Sequence, residues 1–289
     1  MSESAAYLIQ RVISNNAILV SIEKSDSELV LMGKGLGFGA KAGMLVLPSD
    51  PRIEKKFNLA SSDSRNQFRA LTEQVDPKVL DVSQEIISMI GDEFDTSLNE
   101  QIFIALPSHI QFALYRLENN IDIANPFIYE IQALHSREFA LAKKAAVLIE
   151  KKFNIEIPET EVGFLAMHIQ SAVCHISVGN IVKWTHLIQE AVAMIEAERG
   201  FKVPRDSLDY IRLITHLRFA IERLTEGQKS PNPFATQLRE TLKDEYTLGK
   251  KIALMMEANL GVTVSEDEIG YLVMHLYRLF QHYGKPIQR

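Results

Sequence analysis

Four histidines occur as two pairs at one constant spacing, and histidine can act as an acid, a base, a metal ligand or a nucleophile. One pair is His109 with His168, and the other is His216 with His275. His109 matches His216, and His168 matches His275, when segment 107–169 is laid over segment 214–276. The overlay needs no gaps, and identical residues recur along its whole length. Identity of that density indicates a duplicated domain in which both copies carry both histidines.

Three uses of the paired histidines are compatible with the residues around them, beside the plainer interpretation that they fill a core. A metal site is disfavoured, because Asp or Cys ligands at the usual spacing are missing. General acid–base catalysis stays open, although no Ser or Cys nucleophile signature or paired catalytic carboxylates accompany the histidines. The third use is a nucleophilic histidine that accepts a phosphoryl group. Arg116 and Arg223 each follow a histidine by seven residues on the same helical face and could neutralise the phosphate. About two negative charges added between helices would repack them, which makes a switch.

Helices are predicted to position these histidines, because apolar residues recur at helical spacing throughout the chain after residue 66. Ser265 and Glu268 form a predicted capping box at the start of the last helix. Pro107 is expected either to kink a helix over 99–119 or to begin a new one. The apolar faces are formed by Val79, Val82, Ile86 and Ile90, by Val162, Leu165, Ile169 and Val173, and by Ile269, Leu272, Leu276 and Leu279.

Segment 1–60 instead predicts a small antiparallel β module. Strands are expected over 7–13, 17–22 and 28–32, with further strands over 44–47 and 53–59, because these segments are rich in the residue types that strands favour. A module of this size has a marginal core, so it is expected to dimerise or to lean on another part of the chain.

A glycine-rich loop over 33–39 is the second candidate site. It lacks the third glycine of a dinucleotide fingerprint, since Phe38 stands there, and it does not end as a phosphate loop does. One interpretation is a flexible hairpin. The other is a loop whose backbone approaches a ligand, with Phe38 stacking on an unpaired base and Asn15 and Asn16 reading base edges from the neighbouring turn.

Composition bounds these functions. The chain has 289 residues and a net charge of −6, which argues against bulk attraction to nucleic acid. Segment 1–60 carries seven Lys/Arg and six Asp/Glu, hence +1, and the remainder carries 24 and 31, hence −7. A nucleic-acid surface is therefore predicted at the N-terminal module. The lone Cys174, expected to be buried, suits a reducing cytoplasm, and neither a signal peptide nor a membrane span is predicted.

The predicted architecture is multi-domain, with a small antiparallel β RNA-binding domain followed by two homologous all-α helical bundles. The expected boundaries are 1–60 for the β domain, 61–66 for a linker, 67–172 for the first helical domain and 173–289 for the second. No cofactor and no enzymatic activity are expected.

The chain resembles the BglG/SacY/LicT family of bacterial transcription antiterminators over about residues 5–283. Three groups of motifs carry the resemblance: the turn over 11–16, the glycine-rich loop with the residue before it over 32–38, and the four histidine segments. Residues 33–38, 97–100 and 125–127 look most like the branch that controls glucose-permease genes.

The resemblance implies an N-terminal co-antiterminator RNA-binding domain and two phosphotransferase-system regulation domains. The β module would form a homodimer that binds an RNA hairpin in a nascent leader transcript and so prevents a terminator from folding. The phosphate donors would be the phosphocarrier protein HPr and a sugar permease, glucose being the candidate sugar. The RNA-facing residues would be Arg11, Asn15, Asn16, Gly33, Lys34, Gly35 and Phe38. The phosphorylated residues would be His109, His168, His216 and His275.

Two residues depart from the family pattern. Family members commonly have Asp directly before the first histidine, where a carboxylate would orient the imidazole, but here Pro107 and Ser108 precede His109. Many also have a third asparagine in the first turn, at the position of Ser14. Two alternative functions are a phosphohistidine relay without RNA output and a DNA-binding activator, and the second is disfavoured because no helix-turn-helix pattern occurs in residues 1–60.

Overall fold

A computed structural model describes residues 6–14, 16–22, 28–33, 35–59, 74–121 and 124–283. The predicted linker and two of the predicted RNA-facing residues, Asn15 and Lys34, lie outside these ranges. No single helix in the described part is long and apolar enough to cross a membrane; one pair of consecutive helices, over 159–199, passes that test only as a pair bent by 114°.

The N-terminal module is one antiparallel sheet of five strands in the order β4-β1-β2-β3-β5. The strands are β1 (Tyr7–Ser14), β2 (Ala17–Ile22), β3 (Glu28–Met32), β4 (Leu45–Val46) and β5 (Lys55–Leu59). The sequence predicted all five. Aliphatic side chains pack together on one face of the sheet, and Leu19 and Val30 on the opposite face are buried as well. The core of the module consists of Tyr7, Ile9, Ile18, Val20, Leu31, Leu36 and Val46.

Ten helices are described after the module, in agreement with the predicted all-α character. They are α1 (Pro77–Phe94), α2 (Ile102–Glu118), α3 (Ile128–Leu134), α4 (Ser136–Phe153), α5 (Glu159–Cys174), α6 (Val178–Arg199), α7 (Leu208–Thr225), α8 (Ala235–Thr241), α9 (Lys243–Leu260) and α10 (Glu266–Tyr283). The predicted apolar faces are buried in α1, α5 and α10, except that Val173 at the end of α5 is only partly buried.

The chain divides into two compact units. The first unit holds 1–126 and 137–178, and the second holds 127–136 and 179–289. Helix α3 therefore belongs to the second unit, where Gln189 donates to Glu130 at 3.2 Å and the hydroxyl of Tyr210 donates to the same carboxylate. Burial, followed by that hydrogen bond, raises the pKa of the Tyr210 phenol.

Of the two alternatives predicted for Pro107, a helix that contains it is the one observed: α2 continues through Pro107, and the Ser108 hydroxyl donates to the carbonyl of Ile104 one turn earlier at 2.7 Å. Two other local expectations need correction. Cys174 is exposed rather than buried, because α5 ends at this residue. The capping box at α10 is only half formed: Ser265 Oγ accepts from the Glu268 N–H, but the Glu268 carboxylate points elsewhere.

Candidate functional sites

The first predicted histidine pair meets in space. His109 lies on α2 and His168 on α5, and their ring centroids are 4.7 Å apart with the planes at 35°. The ring of Phe164, one turn before His168, lies 6.0 Å from His109. Helix α5 packs through the apolar face that the sequence predicted, and the packing of α2 against α5 holds the two imidazoles together.

The second pair repeats this arrangement in the second unit. His216 on α7 and His275 on α10 have ring centroids 4.5 Å apart, with the planes at 26°. Tyr271, the counterpart of Phe164, lies 6.4 Å from His216. The duplicated sequence thus builds the same imidazole pair twice.

Each pair has a buried glutamate and an arginine beside it, and the glutamates were missed as site residues. Arg116 Nη2 donates to Glu161 Oε1 at 2.5 Å in the first unit. Arg223 donates to both oxygens of Glu268, at 2.7 and 2.8 Å, in the second. Both arginines, predicted to neutralise phosphate, are therefore paired with carboxylates. The signal was present in the sequence, because Glu161 and Glu268 match each other in the same overlay that pairs the histidines.

The two sites differ in how the glutamate is used. Glu161 Oε2 lies 3.4 Å from His109 Nε2, and neither buried atom makes a hydrogen bond within the described ranges. At that distance the contact is an electrostatic pair longer than an ordinary hydrogen bond. In the second site both oxygens of Glu268 bind Arg223, and no ion pair among the described residues joins Glu268 to His216.

Burial keeps three of the four imidazoles neutral. Burial, helped by the neighbouring His109, lowers the pKa of His168 to about 3. Burial, with His275 and Arg223, lowers the pKa of His216 to about 3. Burial, with Arg278 and Arg212, also lowers the pKa of His275. A neutral ring keeps a lone pair, which a nucleophile needs.

The glutamate of the first site stays ionised. Burial alone would raise the pKa of Glu161, but His109 and Arg116 outweigh it and hold that pKa below its ordinary value. The ring of His109 therefore faces a negative carboxylate that is itself anchored by a guanidinium.

Both sites are nearly closed. A cavity of about 10 Å³ borders His109 and Glu161, and another of about 10 Å³ borders His216 and Glu268. One water molecule needs about that much space. His168 and His275 do not line these cavities, and all four imidazoles keep part of their surface exposed.

The glycine-rich loop of the β module is held in place by its neighbours rather than being a free hairpin. The Gly33 N–H donates to the Asn16 carbonyl at 2.9 Å, and Asn16 Oδ1 accepts from the Gly35 N–H at 2.9 Å. A Cβ at Gly33 would lie 1.6 Å from the carbonyl oxygen of Arg52, and one at Gly37 would lie 2.0 Å from that of Ser14. Backbone approaches this close admit only glycine.

Phe38 projects from this fixed loop into solvent. Its exposed fraction is 77%, the highest among the exposed large apolar side chains of the described residues. Arg11 lies on β1 next to a register irregularity between Ile9 and Arg11 and is half-buried. The described part of the predicted RNA-facing set is thus brought to two adjoining loops and the strand that leads into one of them.

Helix α1 packs beside these loops within the first unit. Ser14 Oγ donates to Gln84 Oε1 at 2.5 Å and accepts from the Asn16 N–H at 3.1 Å. A cleft of about 140 Å³ separates the loop from the helix. It is lined by Asn16, Met32, Gly33, Glu54, Gln84, Glu85 and Ser88. The predicted RNA-facing loop and helix α1 therefore share one cleft.

Comparison with known proteins decides the family. The family model described as CAT RNA binding domain matches residues 7–66, and the one described as PRD domain matches 84–172 and 189–279. The chain belongs to the family of transcription antiterminators that join a CAT RNA-binding domain to two PRD domains. The duplication of the histidine pairs is the duplication of the PRD domain.

Relatives match along nearly the whole chain. The chain is 34% identical to transcription antiterminator LicT of Bacillus subtilis over 277 residues, which are 94% of this chain and 98% of that protein. It is 31% identical to the GlcA/glcB genes antiterminator of Staphylococcus carnosus over 281 residues, 96% of this chain and 98% of that protein. These matches agree with the likeness to the glucose branch.

A solved structure resembles the first part of the molecule. The crystal structure of GlcT CAT-PRDI has a TM-score of 0.51 and 38% sequence identity, and it covers 58% of this chain and 98% of its own. The fold class predicted from the sequence, a small antiparallel β domain followed by all-α domains, is confirmed.

The described residues contain no group of three or more His, Cys, Asp or Glu side chains that could hold a metal ion. The neighbours of the imidazole pairs that bear on their chemistry are thus carboxylate, guanidinium and aromatic side chains.

Proposed function

We propose that this chain is a transcription antiterminator that binds an RNA hairpin in a nascent leader transcript and prevents the overlapping terminator from forming. Its N-terminal module supplies the RNA contacts, and its two helical domains read the state of the sugar phosphotransferase system through histidine phosphorylation. The chain acts by binding and not by turnover.

Exposed Phe38 on a rigid loop is the observation that supports RNA binding most directly. Exposure of an aromatic ring to water is unfavourable in free energy unless a partner covers the ring. The π-face of an unpaired base is a suitable partner. Asn16 supports the same site indirectly, because its side chain fixes the loop at Gly35. Arg11, Gly33 and Gly35 are the other described residues of the proposed site, and Asn15 and Lys34 belong to it by sequence.

Phe38→Ala tests the RNA site. Stacking on one base contributes about 2 kcal/mol, so the variant should bind about 30-fold more weakly to the hairpin that overlaps a terminator in its gene's leader. Tyr129→Ala is the control, because Tyr129 is an exposed aromatic residue of helix α3. Equal binding by the wild type and Phe38→Ala in gel shifts at moderate salt would contradict the proposed site.

His109, His168, His216 and His275 are the proposed phosphorylation sites. HPr and a sugar permease, glucose being the candidate sugar, are the proposed donors, which places the protein in the cytoplasm. Two observations support this assignment: the ring centroids of the two pairs lie 4.7 and 4.5 Å apart at helix interfaces, and burial keeps three of the rings neutral. Incubation with phosphoenolpyruvate, enzyme I and HPr should add phosphate only at histidine, as judged by intact-mass and peptide mass spectrometry.

A phosphohistidine relay without RNA output is the alternative. It predicts that the phosphate leaves for a further acceptor, so that phosphoenolpyruvate is consumed continuously. The antiterminator predicts a stoichiometric modification that stops. Continuous consumption together with unchanged RNA binding would favour the relay.

A further inference from the structure

The sequence has no carboxylate directly before His109, but Glu161 of another helix supplies one beside the His109 ring. The residue directly before His109 is Ser108, whose hydroxyl is already used by the carbonyl of Ile104. The Glu161 carboxylate instead comes from helix α5 and puts one oxygen 3.4 Å from His109 Nε2. A carboxylate at one imidazole nitrogen fixes which nitrogen carries the proton, as in a Ser-His-Asp triad.

The covered nitrogen of His109 is the one that faces Glu161. Nε2 is inaccessible to solvent, whereas the side chain as a whole keeps 12% of its exposure. A donor protein must therefore approach the ring from another side. A proton on Nε2, on the side of the carboxylate, would leave the lone pair of the neutral ring on Nδ1.

We propose that Glu161 is a positioning residue that holds the proton of His109 on Nε2 and makes Nδ1 the phosphoryl acceptor. In the step, the Nδ1 lone pair forms the new N–P bond while the P–N bond of a phosphohistidine donor breaks. The electron pair of the broken bond stays on the donor nitrogen. The attacking ring becomes positively charged, keeps its Nε2–H and is stabilised by the Glu161 carboxylate.

Arg116 limits what else Glu161 can do. Its Nη2 binds Glu161 Oε1 at 2.5 Å, so that only Oε2 is directed to the histidine. The carboxylate is thereby fixed in position before the donor arrives. Preorganised charge of this kind costs no rearrangement during the reaction.

The second site lacks this feature. Glu268, the counterpart of Glu161, gives both oxygens to Arg223. The two matched glutamates therefore make a paired experiment: Glu161→Gln should alter the chemistry of its histidine, and Glu268→Gln should not. This proposal rests on the proposed phosphorylation of His109, but the proton position can be measured in the unmodified protein.

The first measurement locates the proton. In the full-length protein labelled with ¹⁵N-histidine, long-range ¹H–¹⁵N spectra should show the His109 proton on Nε2, and Glu161→Gln should shift the population toward Nδ1–H. The peak is assigned by its loss in His109→Asn. A proton on Nδ1 in the wild type would overturn the proposal, whether or not any donor phosphorylates the chain.

The second measurement uses a small chemical donor, potassium phosphoramidate, so that no protein docking is involved. Phosphate on His109 should be on Nδ1, as seen in ¹⁵N–³¹P coupling. Its rate of formation should fall at least tenfold in Glu161→Gln and recover partly in Glu161→Asp. Glu268→Gln should change the rate at His216 by less than twofold. Phosphate on Nε2, or equal losses in both Gln variants, would refute the proposal.

Folding and function are kept separate by two controls. Thermal unfolding by circular dichroism shows whether Glu161→Gln is folded, and Glu161→Asp keeps the charge if it is not. Absence of phosphorylation by HPr alongside a correct proton position would refute the proposed phosphotransferase control and leave the role of Glu161 standing. A misplaced proton alongside normal phosphorylation by HPr would refute the role of Glu161 and leave the proposed phosphotransferase control standing.

Discussion

At the scale of single residues, the paired histidines are defined as much by their neighbours as by their own chemistry. The constant offset between the two copies predicted which histidines would pair, and the ring distances of 4.7 and 4.5 Å confirm both pairs. Glu161 and Glu268 also match each other at this offset. Spacing along the chain, however, does not predict that a residue in the first turn of one helix contacts an arginine of another helix. That information exists only once helices pack.

The buried histidines predict acid sensitivity. His168 has a pKa of about 3 in the folded protein and about 6.5 in the unfolded chain, so the unfolded chain binds the proton first as the pH falls. The stabilising contribution is complete above pH 6.5 and declines toward pH 3. At pH 5 the loss is about 2 kcal/mol for this group.

His168→Asn should therefore lose less stability than the wild type between pH 7.5 and pH 5. Urea unfolding at the two pH values measures the difference in the free energy of unfolding. His186→Asn, which removes an exposed histidine, is the matched control and should behave as the wild type does. A pH dependence of His168→Asn identical to that of the wild type would show that His168 is not the group responsible.

A glycine in the RNA-facing loop gives a second prediction. Gly33→Ala would place Cβ 1.6 Å from the Arg52 carbonyl oxygen, so the backbone must move. We expect a loss of about 1–3 kcal/mol in the free energy of unfolding of the β module, together with weaker RNA binding. Ala42→Ser, at an exposed position nearby, should change neither, and tight RNA binding by Gly33→Ala would mean that the loop tolerates a shift.

At the scale of elements, β1 meets α1 at Ser14, whose hydroxyl donates to the side chain of Gln84 of α1. The same cleft is lined by Glu54 and Glu85, and both carboxylates are exposed. Carboxylates beside a site for RNA repel phosphates, so α1 has a direct physical means of weakening RNA binding.

Glu85→Gln should accordingly strengthen RNA binding by a few-fold, with the gain shrinking as salt is raised. Fluorescence anisotropy with a labelled leader hairpin at two salt concentrations measures this gain. Glu156→Gln, which removes the same charge from an exposed loop before α5, controls for net charge. An equal gain in both variants would mean that total charge, and not the cleft, is responsible.

The elements themselves were largely predictable. All five strands and the helical character of the rest follow from residue type and apolar spacing. Pro107 left two alternatives open because a proline within a helix removes one hydrogen bond locally. The packing of Phe103, Leu106 and Ile110 on the core favours the continuous helix that is observed. Cys174 misled because its burial depended on where α5 ends.

At the scale of the whole molecule, a homodimer is the proposed state, and the β module offers a surface for it. Met44, Leu45 and Leu47 are exposed on and beside the edge strand β4, with exposed fractions of 50, 60 and 62%. Adjacent exposed apolar residues on an edge strand favour association. The marginal size of the module leads to the same expectation.

Leu47→Lys should therefore shift the protein from dimer toward monomer, because the dimer would have to bury the new charge. Size-exclusion chromatography with light scattering at several concentrations measures the mass. Ser49→Lys adds the same charge at a neighbouring exposed position and should leave the dimer intact. A dimer of unchanged strength in Leu47→Lys would move the interface to another surface.

The central claim is that phosphorylation of the histidines changes the affinity of the N-terminal module for RNA. The most direct test measures the affinity of the full chain for its leader hairpin before and after phosphorylation by enzyme I, HPr and phosphoenolpyruvate. The account predicts a change of at least tenfold, abolished when His109, His168, His216 and His275 are all replaced by alanine. An affinity that phosphorylation leaves unchanged, with phosphohistidine present by mass spectrometry, would contradict it.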